Sequence, residues 1–175
     1  LGYKILNEKE VSVTGLGAAL NVVQIPSTVV INDKTYKVTT IDQSAFSADK
    51  EITDVIFGNN VTTIEKQAFY QCPNLRTIRF GTKVTKIGSN AFAECVKLKN
   101  FTLPASVKRI DTKAFYQCPA VKTVKINSTA LEYVGKKGLA VNKTVTMKLP
   151  KKLFTKYQKM IKASSVYPKT KFIKS

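Results

Sequence analysis

The stretch Ala68-Phe69-Tyr70-Gln71-Cys72-Pro73-Asn74-Leu75-Arg76-Thr77-Ile78-Arg79-Phe80-Gly81 decides the fold. Its Ala-Phe pair recurs as Ala45-Phe46, Ala91-Phe92 and Ala114-Phe115, each step being 23 residues. Other positions keep the same step. Val38, Val61, Val84 and Val107 precede Ile41, Ile64, Ile87 and Ile110, while Cys72, Cys95 and Cys118 follow the Phe by three. Next come Ile52, Leu75, Leu98 and Val121, then Val55, Ile78, Phe101 and Val124, then Phe57, Phe80, Leu103 and Ile126. Apolar columns in register over four turns are the signature of a repeat architecture, in which one unit cannot bury its own apolar face and stacking supplies the core. A fifth, degenerate turn reads Leu131, Val134, Leu139, Val145, Met147 and Leu149, as a terminal repeat should.

Within one unit, Leu75 to Phe80 alternates apolar and polar at its end and predicts a half-buried strand; Val84-Thr85-Lys86-Ile87 predicts a second short one. Ser89 to Cys95 is too short for a full helix and suits one or two helical or 3₁₀ turns. Pro73 and Pro119 stop that turn, and Gly58, Gly81 and Pro104 follow the strand. Equivalent strands stacked roughly 4.8 Å apart would bury each column and leave the intervening polar residues outside.

These residues resemble the BspA-like, or Treponema pallidum-type, leucine-rich repeat, whose pattern is approximately V-x-x-I-x-x-x-A-F-x-x-C-x-x-L-x-x-I-x-(I/L)-P. The likeness runs over about residues 25–149, with Asp49 in place of the first Cys and only Leu103-Pro104 keeping the strand-ending proline. It implies a β-rich leucine-rich-repeat solenoid of the α/β class, right-handed, with about five 23-residue repeats of short strands plus a helical or 3₁₀ turn. It also implies a bacterial cell-surface or secreted, hence extracellular, protein engaged in adhesion or ligand binding rather than catalysis.

Both ends differ from the repeat. Residues 1–32 read as an N-terminal β-cap and hairpin, with Val11-Ser12-Val13-Thr14 alternating and a turn at Asn32-Asp33. The solenoid occupies 33–149. Residues 150–175 form a Lys-rich cap, where Leu153, Phe154, Tyr157, Met160 and Ile161 make one apolar face of a helix and Thr170 to Ile173 a last strand. This helix either shields the open end of the stack or lies on an anionic surface.

The 175 residues carry 29 Lys and Arg against 11 Asp and Glu, a net charge of +18, with no His, no Trp and three Cys. The absence of His removes Ser-His-Asp and Cys-His activation and imidazole-based zinc sites. No apolar run nears the roughly 18 residues that cross a bilayer, so the chain reads as a soluble mature segment. After Glu132 there are twelve Lys and no acid, which leaves +6 for residues 1–132. Only Arg76, Arg79 and Arg109 are arginines, too few for the bidentate base reading of specific nucleic-acid binders.

The cysteines follow the structural period rather than a Cys-x-x-Cys spacing, so buried reduced thiols are expected, with neither metal nor cofactor. Asp42, Glu65 and Asp111 share a column that Gly88 interrupts; solvated surface charge is the simpler reading, and no catalytic constellation emerges. Tyr70 and Tyr116 are either exposed contacts or packed on their own turn. Alternation turns Thr77, Arg79, Asn100, Thr102, Thr123, Lys125 and Lys148 outward, with Arg76, Lys99 and Lys122 beside them. These ten are the candidate ligand-binding residues, for a host or extracellular protein or glycan; a merely solvated face guarded by Lys is the alternative. Lys151, Lys152, Lys156, Lys159 and Lys162 are the candidates for holding an anionic cell-wall polymer, acidic glycan or membrane surface.

Overall fold

Alternation at a 23-residue period builds two ladders of short strands joined by turns. The computed structural model describes residues 1–175. The N-terminal part contributes β1 (Gly2–Ile5), β2 (Glu10–Gly15), β3 (Val22–Ile25), β4 (Thr28–Ile31) and β5 (Lys34–Ile41). Each later repeat supplies a strand to each ladder: β6 (Asp54–Phe57) and β7 (Thr63–Ile64), β8 (Thr77–Arg79) and β9 (Lys86–Ile87), β10 (Phe101–Leu103) and β11 (Arg109–Ile110), β12 (Thr123–Ile126) and β13 (Tyr133–Val134). Then β14 (Thr146–Leu149) leads through a 3₁₀ turn at Lys151–Leu153 into helix α1 (Phe154–Ala163), and β15 (Lys171–Lys174) follows.

One ladder runs β2-β5-β7-β9-β11-β13 in parallel, with β1 antiparallel on β2. The hairpin expected at Asn32-Asp33 is present: both residues have positive φ, 49° and 59°, and β4 pairs antiparallel with β5. The other ladder runs β3-β6-β8, then β10-β12-β14-β15, parallel throughout. Its seven strands are the five of the sequence period plus β3 and β15. Those two enter outside the 23-residue step, with Val22 paired to Asp54 and Lys171 to Thr146, and they bring Val23, Ile25 and Phe172 to the core.

The turn after the second strand is not helical. The first four hold two left-handed residues each, as in Gln67 (φ 59°) and Gln71 (φ 55°), then Asn90 (φ 55°) and Glu94 (φ 63°), and the last holds one, Lys137 (φ 57°). A helical turn would bond their N–H groups locally; positive φ re-aims them at the next repeat. Gln67 N–H donates to Ser89 C=O at 2.9 Å, Gln71 to Ala93 at 2.9 Å, Asn90 to Thr112 at 3.1 Å and Glu94 to Tyr116 at 2.8 Å. The left-handed conformation costs an L-residue about 1–2 kcal/mol, and an inter-repeat hydrogen bond at each such position offsets most of that.

Between the ladders lies one core of 43 buried residues, so the repeats form a single apolar unit. Phe46, Phe69, Phe92 and Phe115 stack along it with successive ring centroids 4.8, 5.2 and 5.2 Å apart. Cys72, Cys95 and Cys118 are buried and free, and their thiols donate to the carbonyls of Phe46, Phe69 and Phe92 at 3.0, 3.1 and 3.1 Å. At the far end, α1 closes the core with Tyr157 and Ile161, both fully buried. Tyr157 Oη accepts the Leu131 N–H at 3.0 Å, and Lys137 N–H donates to Ser164 C=O at 2.5 Å.

Candidate ligand-binding site

Along the second ladder Ile78, Phe101, Val124 and Met147 point into the core, so their neighbours point out. Register puts Thr102 beside Lys125 and Lys125 beside Lys148; Ile56 precedes Arg79 in the same column. Arg76, Lys99 and Lys122 form the adjacent column just before each strand. Arg76 N–H donates to Thr53 C=O at 2.7 Å and Lys99 N–H to Arg76 C=O at 2.9 Å, which holds that column in the stack. Of the ten candidate residues eight are exposed, and Thr77 and Thr123 are half-buried.

The ladder opens between β8 and β10, which share no strand pairing. The break coincides with Phe101, which follows Val55 and Ile78 in its column; its ring stacks on Phe115 at 4.4 Å. Beside the break is a hollow of about 520 Å³ walled by Arg76, Lys97, Lys99, Asn100 and Lys122. A second hollow of about 240 Å³ adjoins it, lined by Asn100, Thr102, Thr123, Lys125 and Lys148, so Asn100 belongs to both. Asn100 Oδ1 accepts the main-chain N–H groups of Lys122 at 2.9 Å and Thr123 at 2.8 Å. Its amide nitrogen keeps both donors for solvent or a ligand.

Sequence reasoning missed Lys97. It lies in the loop column Asn74, Lys97, Ala120, Lys143, which has no strand alternation to mark it as facing this side. Its Nζ donates to Asn74 Oδ1 at 2.7 Å.

The electrostatics of this face are one-sided. The two ion pairs of the molecule, Lys86 with Glu65 at 3.1 Å and Arg109 with Asp111 at 2.6 Å, both belong to the other ladder. They absorb two members of the acidic column, as expected of surface charge. In the outward columns of the second ladder the one acid is Asp54, at the N-terminal end. Hydrogen bonds from Thr53 and Thr77 hold its carboxyl below the ordinary value, and the Arg76 and Arg79 guanidiniums add to this.

The five cap lysines are elsewhere. Lys151, Lys152, Lys156, Lys159 and Lys162 are all exposed around the 3₁₀ turn and α1, and Lys162 Nζ lies 5.8 Å from the Phe172 ring centroid. On β14, Lys148 is in register with Ile173 of β15.

On the turn side a larger hollow of about 660 Å³ is lined by Pro73, Glu94, Gln117, Pro119 and Tyr167, among others. Glu94 accepts from Tyr70 Oη at 3.1 Å and Gln71 Nε2 at 2.9 Å, so Tyr70 is tied to the neighbouring repeat. Tyr116 carries the ammonium groups of Lys113 and Lys137 over its ring at 5.5 and 5.3 Å. No group of three or more His, Cys, Asp or Glu is arranged to hold a metal ion, and no helix is long and apolar enough to cross a membrane.

A family model described as BspA type leucine rich repeat region matches residues 20–166 in six copies. Among solved structures, a leucine-rich repeat protein from Bacteroides capillosus is 27% identical with a TM-score of 0.64, over 71% of this chain and 91% of that one. A leucine rich cell surface protein from Faecalibacterium prausnitzii is 19% identical with a TM-score of 0.62, and this chain spans 99% of its own length but 38% of that protein. The leucine rich repeat protein of T. pallidum is 19% identical, with a TM-score of 0.58 over 91% of this chain and 92% of that one. No curated protein matches the sequence significantly.

Proposed function

The chain belongs to the BspA-type leucine-rich repeat family, and from that premise we propose that it is a non-catalytic, cell-surface or secreted binding module whose ligand, a protein or a glycan, docks on the strand face. One observation carries this reading. The second ladder and the column just before it present Arg76, Lys99, Lys122, Lys125 and Lys148 around two adjoining hollows, with Arg79 exposed on β8, and none of the six has an ion-pair partner. Solenoids offer such a surface because repetition fixes the backbone while outward side chains vary freely. Description of the F. prausnitzii neighbour as a cell surface protein supports the location. The test is an array of extracellular-matrix proteins and glycans probed with the full chain and with an Arg79→Glu/Thr102→Glu/Lys125→Glu variant. The wild type should retain a ligand that the variant loses; a ligand held equally by both would overturn the strand-face assignment.

A second reading rests on a separate observation, the exposure of Lys151, Lys152, Lys156, Lys159 and Lys162 in a tract without acids. These would act as an electrostatic anchor to an anionic cell-wall polymer, glycan or membrane surface. Removing residues 150–175 is a poor test, because Tyr157, Ile161 and β15 close the core. Replacing the five lysines by Gln leaves those contacts in place. The anchor requires steep loss of binding in this variant and between low and moderate salt.

A further inference from the structure

We infer that the strand-face ligand is an acidic glycan, a chain of sulfated or uronic sugars, lying along the solenoid axis across Arg76, Lys99 and Lys122. The inference rests on the strand-face reading and names its ligand class. The hollow of about 520 Å³ is built almost wholly from donors. Arg76, Lys97, Lys99 and Lys122 supply cationic N–H groups and Asn100 an amide pinned so that its oxygen is already used; Val96 and Ala120 complete the lining. No carboxylate lines either hollow, whereas the turn-side hollow contains Glu94. A site of this composition favours a ligand made of acceptors with negative charge and disfavours cations and donor-rich partners.

Geometry favours a linear ligand. Arg76, Lys99 and Lys122 are successive members of one column, held in line by the Lys99 N–H to Arg76 C=O bond at 2.9 Å and the Lys122 N–H to Asn100 Oδ1 bond at 2.9 Å. The adjoining hollow continues the track through Lys125, on the strand that follows Lys122, to Lys148 on the next strand. Hydroxyls of Thr102 and Thr123 line the same hollow and can meet uncharged sugar hydroxyls as donor or acceptor. The face lacks what a single-stranded nucleic acid would want: Phe101, the aromatic of this segment, is buried, so no ring is offered for base stacking.

Binding of heparin-derived and hyaluronan oligosaccharides of equal length to the full chain tests this, the first carrying sulfate and the second carboxylate alone. Three proteins are compared: wild type, Arg76→Gln/Lys99→Gln/Lys122→Gln, and Lys151→Gln/Lys152→Gln/Lys156→Gln. All six side chains are exposed, so the variants should fold, which circular dichroism checks. The strand-face triple should lose more than about ten-fold in affinity for at least one glycan, and its log affinity against log salt should flatten by about two to three units, as expected for three lost charge contacts. The cap triple should lose several-fold less. An equal or larger loss in the cap triple, or no wild-type affinity for either glycan, would overturn the inference. If the strand-face triple also keeps every protein ligand found by array, the reading beneath it fails too; if it loses a protein ligand while holding the glycans, only the glycan assignment fails.

Discussion

Asn100 Oδ1 accepts the main-chain N–H of Thr123 at 2.8 Å, where the equivalent N–H of Thr146 goes to the backbone carbonyl of Lys122 at 2.9 Å. The side chain stands in for a backbone acceptor just before the paired stretch of β10 and β12. Asn100→Ala should cost about 1 kcal/mol, read from the midpoint of urea unfolding, because two partly hydrated N–H groups lose an acceptor. Asn100→Asp keeps the acceptor and most of the stability, and it should lower affinity for an anionic ligand by placing a carboxylate among Arg76, Lys99 and Lys122. Equal stability loss in both variants would contradict the bridging role.

Phe92 sits between Phe69 and Phe115, stacked on each at 5.2 Å and fully buried. Phe92→Ala should destabilise by about 3–5 kcal/mol, since a rigid stack relaxes poorly around the cavity. Arg79→Ala, on the exposed side of the neighbouring strand, should stay within about 0.5 kcal/mol of wild type. A small effect at Phe92 would mean the ladder can collapse around a missing ring.

Burial pushes the Cys118 thiol up to about 12 and raises Cys95 well above its ordinary value through its hydrogen-bonded neighbour Cys72 and burial. Folded protein at pH 8 should therefore resist alkylation, and unfolded protein should yield three reactive thiols. The sign of the pH effect follows from linkage. An unfolded thiol ionises near about 8.5 while the native one stays protonated. The contribution is complete below about pH 8.5 and declines as pH rises toward about 12. Cys118→Ala should flatten the fall of the unfolding midpoint over that range; an unchanged slope would count against it.

Tyr157 is fully buried and its hydroxyl accepts the Leu131 N–H at 3.0 Å, tying α1 to the last repeat. Tyr157→Phe keeps the ring but leaves that N–H without an acceptor, a cost of about 1–3 kcal/mol by equilibrium unfolding. Faster hydrogen exchange at Leu131 and in α1, with β6 to β9 unchanged, would identify the cap as the part that loosens.

The sequence alone determined which residues form the core, because a 23-residue step repeated at Val61, Ile64, Phe69, Cys72 and Leu75 has one arrangement that buries every column at once. The same step marked which strand residues face outward, since side chains alternate, and the cap helix and the Asn32-Asp33 hairpin follow from equally local rules. What the tertiary structure decided is non-local. Gln71 and Glu94 adopt left-handed conformations because their N–H groups find acceptors on the next repeat, a partner invisible from within one unit. Strand β15 is legible as a strand in the sequence, but the pairing of β3 with β6 and of β15 with β14 falls outside the 23-residue step and is set by the stack. The hollow that gathers Lys97 with Arg76 and Lys122 exists where β8 and β10 part beside the Phe101 ring, and that gap is set by how volumes pack across repeats rather than by the order of residues along the chain.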